Sequence, residues 1–292
     1  MVTRKNFAKP PAWLLVDPLL QQWLQEDLGR GDRTTEALFT GKQAPAGEAK
    51  LILKAPGIVA GLPFVARVFQ LIDRNFSMAC SLDEGGAGEP KALIAELQAP
   101  LDTLLMGERV ALNILMRLSG IATETAQYAQ RIADLPTTLV DTRKTTPGLR
   151  LLEKYAVNVG GGRNHRYGLD DAMMIKDNHI QAAGGISEAI AAVRVHSPYP
   201  LAIEVEAETH DQAIEAVTQG ADIVMLDNMP PAKMSEIIPK LREINPRIKL
   251  EASGNITLDT IRAVAETGVD FISTSATITR APWLDISMKI TA

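Results

Sequence analysis

At 292 residues, with 46% hydrophobic and 22% charged side chains, the chain has the composition of a soluble globular protein and the length for a sizeable core in one domain or two. Its 30 basic against 35 acidic residues give a formal charge of −5, which argues against general nucleic-acid binding. No apolar run approaches the roughly 20 residues of a membrane span, and the start MVTRKNFAKPPAW lacks the hydrophobic stretch of a signal peptide, so a cytoplasmic protein is expected. The single cysteine, Cys80, can form no intrachain disulfide, and its setting NFSMACSL predicts a buried thiol.

In chain order, Leu19 to Leu28 carries Leu20, Trp23, Leu24 and Leu28 at helical spacing and stops at the turn signal Gly29 to Asp32. AKLILKA and KALIAELQA are strand candidates, the segment around PFVARVFQLI is a helix, and Asp83 to Pro90 is a loop between them. From Leu101 a long helix is predicted with Leu104, Leu105, Leu112, Leu115 and Met116, and it carries Glu108 and Arg109 side by side. This first third reads as an α+β domain.

Between Pro136 and Ala276 the chain repeats one device, an apolar run that ends in polar residues and leads into a helical segment. The runs are TTLVDTRK, AMMIKDNH, LAIEVEAE, ADIVMLDN, IKLEASGN and VDFISTSA, with a seventh strand suspected at Tyr155 to Val159. Strand–helix alternation of this kind implies a parallel sheet, open or closed into a barrel, with its chemistry at the C-terminal strand ends. Punctuation supports the division: Thr209 and Gln212 form a capping box for a helix ending at Gly220, Pro230 and Pro231 open another, and Thr257 to Gly268 has an N-cap and a C′ glycine.

The strand ends carry the candidate site. Arg143 to Lys176 contains seven cations (Arg143, Lys144, Arg150, Lys154, Arg163, Arg166, Lys176) against three acids, a local reversal suited to a small polyanion in a cleft. In DTRKTTPGLR, Arg143 and Lys144 follow a buried strand, so the strand end fixes them toward an anion. GGGRNHR joins three glycines, whose backbone N–H groups can approach an anion, to Arg163, His165 and Arg166. Metal binding by His165 is disfavoured because no second histidine or cysteine lies at ligand spacing. Glu204 and Glu206 share one face of a strand and Asp227 ends the next; such acids can bind Mg²⁺, hold sugar hydroxyls or stabilise a developing cation. Lys176 also fits a Schiff-base lysine of a barrel aldolase, although the surrounding cations favour an anionic ligand. Cations beside acids suit phosphoribosyl chemistry, where pyrophosphate leaves an oxocarbenium-like ribose.

Together EDLGRGD (Glu26 to Asp32), ERVALN (Glu108 to Asn113), SGIA (Ser119 to Ala122), DTRKTTPGLR, KYAVNVGGGRNHR, IKDNH, EVE, MLDN and the C-terminal LDISM resemble the quinolinate phosphoribosyltransferase family, in the same order along nearly the whole chain. The resemblance implies an N-terminal open α/β sandwich (residues 1–118, with 279–292 packing back on it) and an incomplete seven-stranded α/β barrel (119–278). It implies transfer of phosphoribose from phosphoribosyl pyrophosphate to quinolinate with decarboxylation, giving nicotinate mononucleotide, and a homodimer with shared active sites. Arg143, His165, Arg166 and Lys176 would hold quinolinate, with Arg109 arriving from the other subunit. Lys144, Glu206 and Asp227 would serve the ribose, pyrophosphate and Mg²⁺, while Ser253, Gly254, Asn255 and Ser275 would line the phosphate pocket. The chain departs from the family pattern at Asn255 and Ser275, both positions where glycine is usual. The alternatives are a paralogous phosphoribosyltransferase with another acceptor and the aldolase.

Overall fold

The computed structural model describes residues 8–291. In chain order it contains α1 (Trp13–Leu28), α2 (Arg33–Leu38), β1 (Ala46–Leu53), β2 (Gly57–Ile58), α3 (Leu62–Ile72), β3 (Ser77–Cys80), β4 (Ala87–Gly88), β5 (Leu93–Pro100), α4 (Leu101–Arg131), β6 (Thr138–Val140) and α5 (Arg150–Val159). There follow β7 (Met173–Ile175), α6 (Asp177–Ala183), α7 (Ile186–His196), β8 (Ile203–Ala207), α8 (His210–Thr218), β9 (Ile223–Asp227), α9 (Pro231–Ile244), β10 (Lys249–Ser253), α10 (Ile261–Ala265), β11 (Phe271–Ser273), α11 (Ala276–Thr279) and β12 (Ile286–Thr291). No helix among the described residues is long and apolar enough to cross a membrane. The described residues fold into two compact units, the first of residues 8–126, 146–161 and 280–291 and the second of 127–145 and 162–279.

In the first unit an antiparallel sheet runs β12-β1-β5-β3. The alternation in AKLIL buries Ala49, Leu51 and Leu53, so one face of β1 joins the core while its edges pair with β5 and with the C-terminal β12. Asp32 opens α2 by accepting the N–H groups of Thr34 and Thr35, the N-cap that the turn signal contains. Glu84 closes the start of α3, taking the N–H of Gly61 at 2.6 Å and of Leu62 at 2.9 Å, and Tyr155 donates its hydroxyl to the same carboxylate at 2.9 Å. Two expectations need correction here. Cys80 is exposed, because β3 is the edge strand of the sheet and leaves most of its side chains to solvent. Tyr155 to Val159 is helix rather than strand: Leu152, Tyr155, Ala156 and Val159 recur at helical spacing and bury that face of α5.

The second unit is an incomplete α/β barrel whose parallel strands run β6-β11-β10-β9-β8-β7, with helices between successive strands. All six predicted runs are strands. A seventh is reduced to one parallel bridge between Val140 and Arg163, with Asp141 N–H bonded to Arg163 O at 3.1 Å and Arg163 N–H to Leu139 O at 2.9 Å. Odd-numbered residues of β8 (Ile203, Val205, Ala207) and even-numbered ones of β9 and β10 (Val224, Leu226, Leu250, Ala252) form a core with the outer helices. The pleat therefore turns Glu204, Glu206, Asp227, Glu251 and Ser253 to the opposite face. The expected capping box holds at α8, where Thr209 and Gln212 cap reciprocally.

Candidate active site

The strand ends of the second unit are assembled from the loop after β6 upward. Asp141, fully buried, accepts Asn164 Nδ2 at 2.7 Å and the His165 N–H at 2.9 Å. One carboxylate thus pins the glycine-rich segment alongside β6. The role of Asp141 could have been sought in the sequence, since a charged residue directly after an apolar strand must find buried partners. Lys144 leaves the same strand end through a turn in which Thr142 Oγ1 accepts the Lys144 N–H at 3.0 Å.

Arg166 is 9% exposed, donating to Ala172 O at 2.8 Å and leaning on Met174 Sδ at 3.6 Å. Burial and then the charge of Arg143 hold its pKa below the usual guanidinium range. Arg143 itself keeps a buried Nε with no hydrogen-bond partner. The unsatisfied Arg143 donor stands beside a second guanidinium, a setting suited to an anionic ligand.

On the acid side, Lys176 at the end of β7 donates its ammonium to Glu206 Oε2. Asp227 ends β9 in register with Ser253 at the end of β10. Burial, then the nearby negative charge of Glu206, push the Asp227 carboxyl up, while Lys176 and a 2.7 Å bond from Asn228 Nδ2 oppose them. Asn255 adopts φ 53°, the left-handed region that explains why glycine suits this position and why asparagine is among the few residues to replace it. Its amide donates to Asn228 Oδ1 at 3.1 Å, so Asn255, Asn228 and Asp227 form one chain of hydrogen bonds. Gly254 stands at φ 94°, and a Cβ there would come within 2.2 Å of Asn228 Oδ1. Ser275 precedes α11, its carbonyl accepting from Ile278 and Thr279.

His165 faces inward. Its Nε2 lies 3.1 Å from Glu204 Oε2 and 3.6 Å from Glu251 Oε2, and its Nδ1 accepts the Arg166 N–H at 2.8 Å. Sequence reasoning singled out Glu204 and Ser253 but passed over Glu251, although the pleat puts Glu251 on the same face as Ser253 two residues on.

In the first unit, exposed Arg109 lines a cavity of about 290 Å³ together with Trp23, Glu26, Asp27, Asn113 and Arg117. The motifs EDLGRGD and ERVALN, far apart in sequence, meet there. Arg150 and Lys154, counted with the cationic stretch, belong to this unit, so the charge reversal is shared between two units.

A parallel α/β sheet whose strand ends set neighbouring guanidiniums beside clustered carboxylates is the architecture of an enzyme acting on small anionic substrates. Residues 121–289 match the model of the quinolinate phosphoribosyl transferase C-terminal domain and residues 32–119 that of the N-terminal domain. The chain is 54% identical over 280 residues to a probable nicotinate-nucleotide pyrophosphorylase [carboxylating] of Synechocystis sp., covering 96% of this chain and 94% of that one. Against the nicotinate-nucleotide pyrophosphorylase [carboxylating] of Homo sapiens it is 40% identical, covering 97% and 93%. The crystal structure of NadC from Streptococcus pyogenes superposes with a TM-score of 0.91 at 40% identity, over 97% of this chain and 99% of that one. The chain belongs to the quinolinate phosphoribosyltransferase family.

Proposed function

We propose that the protein transfers phosphoribose from phosphoribosyl pyrophosphate to quinolinate with decarboxylation, giving nicotinate mononucleotide, pyrophosphate and CO₂ in NAD biosynthesis. One observation carries the choice of acceptor: Arg143 and Arg166 lie close enough for the charge of one to depress the pKa of the other, and a buried Arg143 donor has no partner. A dicarboxylate would relieve both, with Lys176 and a partner subunit's copy of Arg109 completing its setting. In this reading His165 stands with Arg143, Arg166 and Lys176 among the residues that hold quinolinate. Lys144 and the acids Glu206 and Asp227 serve the ribose and pyrophosphate, and Ser253, Gly254, Asn255 and Ser275 the phosphate.

The pyridine nitrogen attacks the anomeric carbon as the bond to pyrophosphate breaks. Carboxylates near the ribose favour the developing positive charge, and cations favour the departing anion. The quaternised ring then accepts the electron pair released when the adjacent carboxylate leaves as CO₂, and the ring carbon takes up a proton. The protein's own groups orient and stabilise charge, so no general base is assigned. Glu206 and Asp227 would hold Mg²⁺, which would neutralise charge on the pyrophosphate; the fit rests on their proximity, since the charge of Glu206 helps raise the pKa of Asp227. We further propose a cytoplasmic homodimer with active sites shared between subunits.

Quinolinate-dependent CO₂ release with phosphoribosyl pyrophosphate and Mg²⁺ tests this directly. Nicotinate, lacking one carboxylate, should be rejected, because desolvated cations would be left unpaired at about 1.5–3 kcal/mol for each charged hydrogen bond. Comparable turnover of the two acceptors would overturn the assignment.

A further inference from the structure

The segment that follows Lys144 is built around one turn. Pro147 presets the backbone of its first central position, Gly148 stands at φ 81° in the second, and the Leu149 N–H closes on Thr146 O at 3.0 Å, the pattern of a type II turn. Leu149 caps α5, so the first turn of that helix comes back alongside Thr146. Glu153 meets it there. Its Oε2 accepts the Thr146 N–H and its Oε1 the Thr146 hydroxyl, both at 2.8 Å. Arg117 on α4 holds the same carboxylate through Nε at 3.0 Å and Nη2 at 2.7 Å, and the Glu153 side chain is fully buried. Thr146, by contrast, is exposed. Burial therefore does not hold this residue; two charge-assisted hydrogen bonds to a carboxylate that Arg117 clamps in place do.

We propose that Glu153 is a positioning residue for Lys144: through Thr146 it fixes the end of the loop from which Lys144 serves the ribose and pyrophosphate. The inference rests on that reading of Lys144. Only Thr145 separates Lys144 from the anchored residue. The loop before the anchor is tightened locally, the Lys144 N–H bonding to Thr142 Oγ1 and the Thr145 N–H to Arg143 O, each at 3.0 Å. At its other end the loop leaves β6 through Asp141, whose carboxylate is bonded to Asn164 and to the His165 N–H. Arg143 is nearer along the chain to Asp141 than to Thr146, whereas for Lys144 the order is reversed. Loosening Thr146 should consequently disturb Lys144 more than Arg143. A lysine ammonium is a point charge on a long flexible stem, so its placement depends on a fixed backbone. Misplacing a catalytic group by about 1 Å can cost about 100-fold in rate.

Thr146→Val removes the hydroxyl bond but keeps the backbone N–H and the pair of Arg117 with Glu153, so the fold should survive it. Its kcat/KM for phosphoribosyl pyrophosphate should fall about fivefold or more, while KM for quinolinate moves less than about twofold. Thr146→Ser, which puts the hydroxyl back, should return kcat/KM to within about twofold of wild type. Glu153→Gln, which turns one acceptor into a donor and removes the charge, should show the same selective loss, at least as large. Where Lys144→Ala is impaired, an equal loss on both substrates, a Thr146→Val protein that behaves as wild type, or no rescue by serine would overturn the proposal. Amide hydrogen exchange without substrate tells its failure from that of the reading of Lys144. In Thr146→Val the amides of Lys144 and Thr145 should exchange about fivefold faster or more, with those of β6 unchanged. Unchanged exchange at Lys144 and Thr145 would overturn the proposal whatever the kinetics. Faster exchange there, in a protein whose Lys144→Ala variant keeps normal kcat/KM, would uphold the anchor and remove the reading of Lys144.

Discussion

The charge of Arg143 makes that of Arg166 harder to keep, and Asp141 fixes the segment that bears Arg166. Removing one guanidinium should act on binding. Arg143→Ala is expected to raise the KM for quinolinate by about 10- to 100-fold, the equivalent of about 1.5–3 kcal/mol, with a smaller effect on kcat. Glu206→Gln and Asp227→Asn stand where charge develops at the ribose, and should lower kcat with quinolinate KM less affected. Steady-state kinetics separates the two outcomes, and acid variants that turn over normally at saturation would remove those residues from the mechanism. Asn255 adds a local device: glycine's backbone conformation is kept, and its amide steadies Asn228, which in turn donates to Asp227.

Among the elements, α5 and its approach show what a single buried carboxylate can organise. Glu153, fully buried, accepts Arg117 Nε at 3.0 Å and Nη2 at 2.7 Å, the Thr146 N–H at 2.8 Å and Thr146 Oγ1 at 2.8 Å. Arg117 also donates to Ala281 O at 3.1 Å, so α4, the segment 146–153 and the start of the C-terminal return are tied through one ion pair. Glu153→Ala would strand a largely buried guanidinium and should destabilise the protein by about 3–5 kcal/mol, read as a lower midpoint in thermal or denaturant unfolding. A loss under about 1 kcal/mol would mean that the pair adds little. The same region shows where sequence patterns fail. KYAVNV looks strand-like on its own, and only the preceding Leu151 and Leu152 reveal the helical period of α5. The last barrel pairing lies in a glycine-rich stretch without side-chain periodicity, so no pattern could announce the Val140 to Arg163 bridge. Cys80 misled because apolar neighbours indicate burial only when a strand has partners on both sides, and β3 has one. The six other strand ends were legible because each apolar run stops at a polar residue, the feature that also marks the site. Glu251 was not, since it lies inside a run where attention falls on the end.

For the whole molecule, sharing of the site between subunits has a test that does not depend on rates. Arg109→Ala and Lys144→Ala homodimers should each be nearly inactive. Mixed under conditions that exchange subunits, they would form heterodimers in which one site carries both lesions and the other neither, so activity should return in a minority of sites with near-normal quinolinate KM. Verified exchange without recovery would reject sharing and leave the proposed reaction standing. Connectivity matters at this scale as well: the chain passes between its two units at 126/127, 145/146, 161/162 and 279/280, so no single cut separates them.

The pairing of β1 with β12 also fixes a timetable. β1 takes as its neighbour β12, a strand made much later, joined from Glu48 opposite Thr291 to Leu53 opposite Ile286. The sheet that holds β1 therefore stays unfinished until Ile286 to Thr291 has been made, and until then β1 offers an open edge to any other strand nearby. Chains ending before Ile286 should consequently be recovered largely in aggregates, and adding a separate peptide of residues 284–292 during refolding should raise the soluble yield. Equal solubility of the shortened and full chains would show that the edge is closed by other means.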